Sequence, residues 1–208
     1  MPRSATNLDP HGDAPRERRE AILVAAAQVI SRSGVRGLRV EQVAAEAKVS
    51  PPLLYYHFAS RQGLIRAALE RASERAPSAA LRQAPAKGET GYAALRTALL
   101  AELDEDREVR DNAVVWGEVS ASAVFDSELR DDVRRVSATW SAEVAGAVQR
   151  GIEDSSIRSD VDPDRAGQLL TALVDGLCNR WLAGGIDREA ARSLLEAALK
   201  QTLRAPNG

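Results

Sequence analysis

Two short helices separated by three residues constrain this chain more than any other feature. Val40 to Ala47 sets Val43, Ala44 and Ala47 on one side, the spacing of a helix of about two turns. Lys48-Val49-Ser50 interrupts it, and Ser50-Pro51-Pro52 opens a second helix that runs to Phe58. Ser50 can accept a hydrogen bond from a free backbone N–H, and proline suits the first helical positions, where the N–H has no partner inside the helix. A longer helix precedes the pair. From Arg16 onward Ile22, Ala26, Val29 and Ile30 recur at helical spacing, and Gly34 is expected to end that helix in a left-handed conformation. A long helix followed by two short ones across a tight break is a helix-turn-helix arrangement.

The second short helix has an unusual outer face. At about 100° per residue, with Leu54 at the origin, Phe58 falls near 40° and Pro51 near 60°, toward a core. Pro52, Tyr56 and Leu53 fall near about 160°, 200° and 260°, away from it, with Tyr55 and His57 on the flanks. Pro, Leu and Tyr facing only water is a poor use of apolar surface. Such a face suits a DNA groove, where apolar groups meet thymine methyls and a phenol reaches phosphate. The competing reading makes Tyr55, Tyr56 and Phe58 ordinary core aromatics.

The stretch from Gly34 to Leu69, GVRGLRVEQVAAEAKVSPPLLYYHFASRQGLIRAAL, resembles the DNA-binding domain of TetR-family transcriptional regulators. The matching positions are Val43-Ala44, Val49-Ser50, Leu54-Tyr55-Tyr56-His57-Phe58, Ser60-Arg61 and Leu64. The resemblance implies that Tyr55, His57 and Arg61 touch the phosphate backbone. Pro51, Pro52, Leu53 and Tyr56 would meet base edges or adjacent phosphates, and Arg39 and Val40 would lie against the backbone. Lys48 and Ser50 complete the implied DNA-binding set. For Arg39 a plain solvated charge is an equally open reading. The chain departs from the family pattern in two places. Arg39-Val40 stands where hydroxyl residues are usual, which removes a side-chain cap, and Pro52 stands where a small residue is common. No Gln, Asn or Arg lies on the outer face, so bidentate base reading is absent there. Specificity would rest on methyl contacts, on Lys48 and on DNA shape.

Ser60 starts a fourth helix that runs through Leu64, Ile65, Ala68, Leu69 and Ala72 and ends near Pro77, and beyond a Pro- and Gly-containing stretch over residues 77–91 five further helices are expected. They run from Tyr92 to Leu103, Arg107 to Val124, Ser127 to Ile152, Pro163 to Ala183 and Asp187 to Leu203. With no strand alternation, the expected class is all-α with about nine helices. Residues 1–15 are read as a flexible arm, 16–76 as the helix-turn-helix domain and 77–208 as a helical effector-binding and dimerisation domain. The last two helices carry apolar stripes that include Leu169, Leu173, Leu177 and Trp181, then Leu194, Leu195 and Ala198. The resemblance implies that these form a dimer interface. It also implies a ligand pocket among the middle helices, for which Glu102, Trp116, Glu118, Trp140 and Cys178 are the candidates. Aromatics with carboxylates suit a cationic or aromatic ligand. The alternative places both tryptophans in the core and the carboxylates in water.

Composition closes off other classes. The longest nearly apolar run, Ala21 to Ile30, falls well short of the ~20 residues of a membrane helix, and the polar N-terminus is not a secretory signal. A lone Cys178 excludes an internal disulfide framework and a multi-cysteine metal site. A cytoplasmic protein without metal or cofactor is expected. No Ser-His-Asp arrangement, HExxH, phosphate loop or Gly-rich dinucleotide turn is present, so an enzyme is not expected. Taken alone, the net charge of −2 argues against a nucleic-acid partner. Yet residues 1–75 hold 12 basic against 8 acidic side chains, +4, and residues 76–208 hold 16 against 22, −6. A basic head and an acidic body fit a protein that presents one end to phosphate. The expected function is a ligand-responsive DNA-binding regulator. In this reading it is a homodimeric repressor of a palindromic double-stranded operator, released by an unidentified small-molecule effector. The alternative is a helical small-molecule-binding or interaction protein whose helix-turn-helix does not bind DNA.

Overall fold

Side-chain caps set most helix starts among the described residues. The computed structural model describes residues 10–74, 81–83 and 85–204; among them nine helices are bounded and no strand occurs. The helices are α1 (Pro10–Gly37), α2 (Val40–Glu46), α3 (Pro51–Phe58), α4 (Arg61–Ser73), α5 (Gly91–Ala101), α6 (Arg107–Ala123), α7 (Ser127–Glu153), α8 (Pro163–Leu182) and α9 (Arg188–Leu203). Asp106, Asp126, Asp162 and Asp187 each accept a backbone N–H at the start of α6, α7, α8 and α9. Thr90 does the same for α5, accepting from the Ala93 N–H at 3.2 Å. An ionised carboxylate at a helix N-terminus satisfies an orphan donor and meets the positive end of the helix dipole. Pro163, in the first turn of α8, lacks an N–H where none is needed.

Helix α1 begins at Pro10, earlier than the expected Arg16, so part of the expected arm is helical; its residues 1–9 lie outside the described residues. Gly34 does break the helix, though not in the left-handed helical conformation. Its φ of 70° and ψ of 169° belong to a region open essentially to glycine alone, and one further turn follows as far as Gly37.

The chain divides into two compact units, residues 1–68 and 69–208. The division falls inside α4, upstream of the 76/77 boundary expected from the Pro/Gly-containing stretch. In the first unit Ile22, Ile30, Val43, Leu54, Leu64 and Ile65 are fully buried. Their burial fixes which face of each short helix turns outward. The close α3–α4 turn is possible because residue 63 is glycine: a Cβ there would sit 2.1 Å from the Phe58 carbonyl oxygen. In the second unit α7 and α8 pack most extensively. The core runs through Leu95, Leu99, Leu103, Val144, Val148, Leu170, Val174, Leu195 and Leu199.

Candidate functional site

The turn between α2 and α3 is closed by the backbone. Lys48 adopts φ 56°, and its N–H and that of Val49 bond back to Ala45 and Ala44. Ser50 caps α3 as expected, accepting the Leu53 N–H at 3.4 Å, whereas Arg39 gives α2 no side-chain cap. Leu54 and Phe58 point inward and are buried, and the Arg19 guanidinium stacks over the Phe58 ring at 5.4 Å. Core burial of the α3 aromatics therefore applies to Phe58 alone. Tyr55 is 45% and Tyr56 82% exposed, Pro51 and Pro52 are exposed, and Leu53 and His57 are half-buried. Pro51 thus differs from its expected inward position, because at the first turn the chain has not yet closed over it. Arg39 and Lys48 are exposed.

Two members of the expected DNA-binding set are occupied elsewhere. Val40 is 5% exposed and packs in the core, so its side chain is not available to a phosphate. Arg61 donates its Nε–H to the Leu38 carbonyl at 3.0 Å and an Nη2 proton to the Val35 carbonyl. These carbonyls lie at the end of α1 and just beyond it; the Val35 carbonyl also accepts the Leu38 N–H at 3.3 Å, so the guanidinium adds to the capping of the α1 end.

A partly enclosed cavity lies in the second unit. Ala72 and Ser73 of α4 line it, with Glu102 just after α5, Asn112, Ala113 and Trp116 of α6, and Val136 and Trp140 of α7; Val174, Asp175, Cys178 and Asn179 of α8 complete the wall. The space within reach of a water molecule's centre is about 70 Å³. That holds several waters or one small organic molecule. Burial raises the Glu102 carboxyl to about 7, with a smaller push from Asp175. Burial also raises Asp175 to about 7, against the opposing pull of a hydrogen bond from the Trp116 side chain. The Cys178 thiol is pushed up to about 12 by burial and by the two carboxylates, and its Sγ–H donates to the Glu102 carbonyl at 3.5 Å. It is a neutral thiol at any physiological pH. Asn112 Oδ1 and Trp140 Nε1 are buried without a hydrogen-bond partner.

The structure thus brings Glu102, Trp116, Trp140 and Cys178 to one cavity. Glu118 does not line it, because two residues along a helix is a rotation of about 200° away from Trp116. Asp175, Asn112 and Asn179 line it and were missed. An acidic residue flanking the apolar stripe of α8 was the available signal for Asp175.

The stripes of α8 and α9 divide in the same way. Leu177 and Leu195, 4% and 0% exposed, belong to the core of their own chain rather than to an outer face. Leu169 and Leu194 are 55% and 51% exposed, and Leu173, Trp181 and Ala198 are half-buried. In each helix the exposed leucine is offset about 100° from the buried one that follows it. One edge of each stripe therefore faces outward. Trp181 is stacked by the Arg110 guanidinium at 5.2 Å.

Residues 22–68 match the family model for bacterial regulatory proteins of the TetR family, and residues 92–204 match the model for the C-terminal part of BetI-type transcriptional repressors. The transcriptional repressor BepR of Brucella suis is 26% identical over 91% of this chain and 93% of its own. The regulator BetI of Burkholderia cenocepacia is 27% identical over 85% and 89%. Among solved structures, a TetR-family transcriptional regulator from Rhodococcus sp. is 41% identical and superposes with a TM-score of 0.82, over 90% of this chain and 99% of that one. A transcriptional regulator from Saccharomonospora viridis, solved with choline, is 25% identical with a TM-score of 0.75, over 92% and 100%. A chain matched by both halves of this architecture, with its helix-turn-helix in place, belongs to the TetR family of bacterial transcriptional regulators.

Proposed function

We propose that the protein is a homodimeric repressor, without enzymatic activity, that binds a palindromic operator and is released by a small organic cation held in the second-unit cavity. The exposed outer face of α3 carries this reading. Tyr56 is 82% exposed on a short, capped helix whose opposite side is anchored by buried Leu54 and Phe58. Residues 16–76 form the DNA-binding part and residues 77–208 the effector and dimerisation part. The reading set is Arg39, Lys48, Pro51, Pro52, Leu53, Tyr55, Tyr56 and His57, with Ser50 and Arg61 shaping the helix that presents them. Two copies join through the exposed edges of α8 and α9, at Leu169, Leu173, Leu194 and Ala198. Two-fold symmetry then sets two reading helices about 34 Å apart, one DNA turn, or a small multiple of it.

Two tryptophans and two acidic groups around a small cavity suit a cation. The choline held by the Saccharomonospora viridis regulator supports an ammonium of similar size here. Because α4 begins at Arg61 in the first unit and ends in the cavity wall at Ala72 and Ser73, an occupant of the cavity touches the helix that leads to the reading head. An effector releases DNA only if it binds more tightly to the conformation that does not fit the operator. Among the described residues no helix is long and apolar enough to cross a membrane, in keeping with action on cytoplasmic DNA.

Footprinting of the DNA flanking the protein's own gene, at low salt and without effector, tests the reading. A protected palindrome is expected, and no protection anywhere contradicts it. The missing polar base readers on α3 favour one rival, a helical sensor that has lost DNA binding. Salt-dependent retention on DNA excludes that rival.

A further inference from the structure

A row of planar side chains runs from the outer face of α3 across to α1. The Tyr56 and His57 rings meet edge-on, 5.4 Å between centroids. The His57 and Phe58 rings are tilted and 6.1 Å apart. The Arg19 guanidinium lies over the Phe58 ring, 5.4 Å from its centre. Both ends of the row, Tyr56 and Arg19, are exposed, while Phe58 between them is buried. Attraction to the face of a ring fixes where a guanidinium sits without neutralising its charge. Among the described residues no acidic group pairs with Arg19. Other arginines of the first unit are spent differently. Arg32 is ion-paired with Glu46, and Arg61 serves the Leu38 and Val35 carbonyls. A positioned, unpaired guanidinium offers an outside anion a planar fork of donors, with less side-chain freedom left to lose on binding.

We propose that Arg19 is a DNA-backbone contact supplied by α1: Phe58 holds its guanidinium beside His57, and it meets a phosphate next to the stretch of DNA that Tyr56 and His57 touch. This rests on the preceding reading of the outer face of α3 as the DNA-facing surface. It extends that surface from the two short helices to the long helix before them. Phosphates of one strand follow each other every ~3.4 Å along the duplex axis, so a row from Arg19 to Tyr56 spans a few of them. The contact carries no sequence information; it fixes how α3 is seated in the groove. It also supplies a backbone cation in the place of Arg61, whose donors are turned inward. Phe58 thereby has two faces of use, one packed in the core and one seating a charge.

Anisotropy titration of the full-length protein onto a fluorescent duplex of arbitrary sequence, between about 50 and 200 mM salt, tests this. Non-specific binding is nearly all backbone contact, so no operator is needed. Arg19→Met keeps an apolar stem over Phe58 and removes the charge. Its slope of log affinity against log salt should be shallower by about 0.9 for each protomer engaged. Affinity at the low-salt end should fall about tenfold per protomer engaged, and the loss should shrink as salt rises. Its thermal melt should stay with that of the wild type, because the side chain is exposed. Arg18→Met is the control. Arg18 is also exposed but turned about 100° away along α1, and its loss should leave the slope unchanged. In a Phe58→Leu background, which keeps the core apolar and removes the ring, Arg19→Met should cost less. An unchanged slope with a lowered melting temperature makes Arg19 only a lid on Phe58 and overturns the proposal. Equal slope changes in the Arg18 and Arg19 variants overturn it as well, since they describe a diffuse positive head. The same Arg19→Met loss with and without the ring overturns the role given to Phe58. Absence of salt-dependent binding by the wild type overturns both this proposal and the DNA reading on which it rests.

Discussion

Arg61 donates its Nε–H to the carbonyl oxygen of Leu38 at 3.0 Å, across 23 positions of sequence, and reaches the Val35 carbonyl with its Nη2. The guanidinium thereby ties the start of α4 to the end of α1. A lysine cannot offer two in-plane donors to two carbonyls. Arg61→Lys should therefore destabilise the fold by about 1–3 kcal/mol, the cost of losing charge-assisted hydrogen bonds to partly buried carbonyls. Its DNA affinity should keep the wild-type dependence on salt. Denaturant melts read the first effect and anisotropy titrations at several salt concentrations the second. A salt slope lowered by about 1 would instead make Arg61 a phosphate contact.

The outer face of α3 separates affinity from preference. Tyr56→Ala removes an exposed side chain, so stability should change by less than about 0.5 kcal/mol, while affinity falls on every DNA tested. Leu53→Ala should alter the ranking of operator variants, because an apolar side chain reads thymine methyls. Anisotropy on the operator and on single-base variants distinguishes the two patterns.

The carboxyl pair makes the stability of the empty protein depend on pH. Glu102 and Asp175 are both raised to about 7, so between about pH 4 and 7 the folded state binds more protons than the unfolded one. Stability should therefore fall as pH rises through that window and level off above it. Melting temperatures of wild type and of the doubly neutral variant Glu102→Gln/Asp175→Asn test this. The variant should lose the part of the decline that the pair supplies. Below pH 7 the affinity for a cation should fall, by up to about tenfold per unit, because the counter-charge must first lose its proton.

The apolar stripes of α8 and α9 give opposite outcomes at adjacent positions. Leu194→Asp places a charge on the exposed edge and should yield a folded monomer. Leu195→Ala opens a cavity in the core and should cost about 2–5 kcal/mol without breaking the dimer before the protein unfolds. Light scattering with thermal melts reads both.

Much of the fold was legible because the chain states it locally. Asp106, Asp126 and Pro163 each mark a helix start within one residue of where it lies. The outward turn of Tyr56 followed from the angular position of Leu54 and Phe58. What escaped was tertiary. A buried Val40 and an Arg61 held by two carbonyls follow from the packing of α1 against its neighbours, which helical spacing alone does not contain. A stripe about 140° wide on α8 shows that the helix is apolar, yet it does not say which edge meets the core. Leu177 and Leu169 therefore read alike and part company only in three dimensions. Glu118 and Asp175 exchanged places for a related reason. Proximity in sequence to Trp116 favoured Glu118, whereas the cavity wall is completed from α8.

The central claim is that occupancy of the cavity weakens DNA binding, and operator affinity with and without saturating choline tests it most directly. With the full-length protein at pH 7.5, the operator dissociation constant should rise at least about tenfold, a coupling of about 1.4 kcal/mol. Operator DNA should weaken choline binding by the same factor. Choline bound to its cavity with operator affinity unchanged would contradict the account.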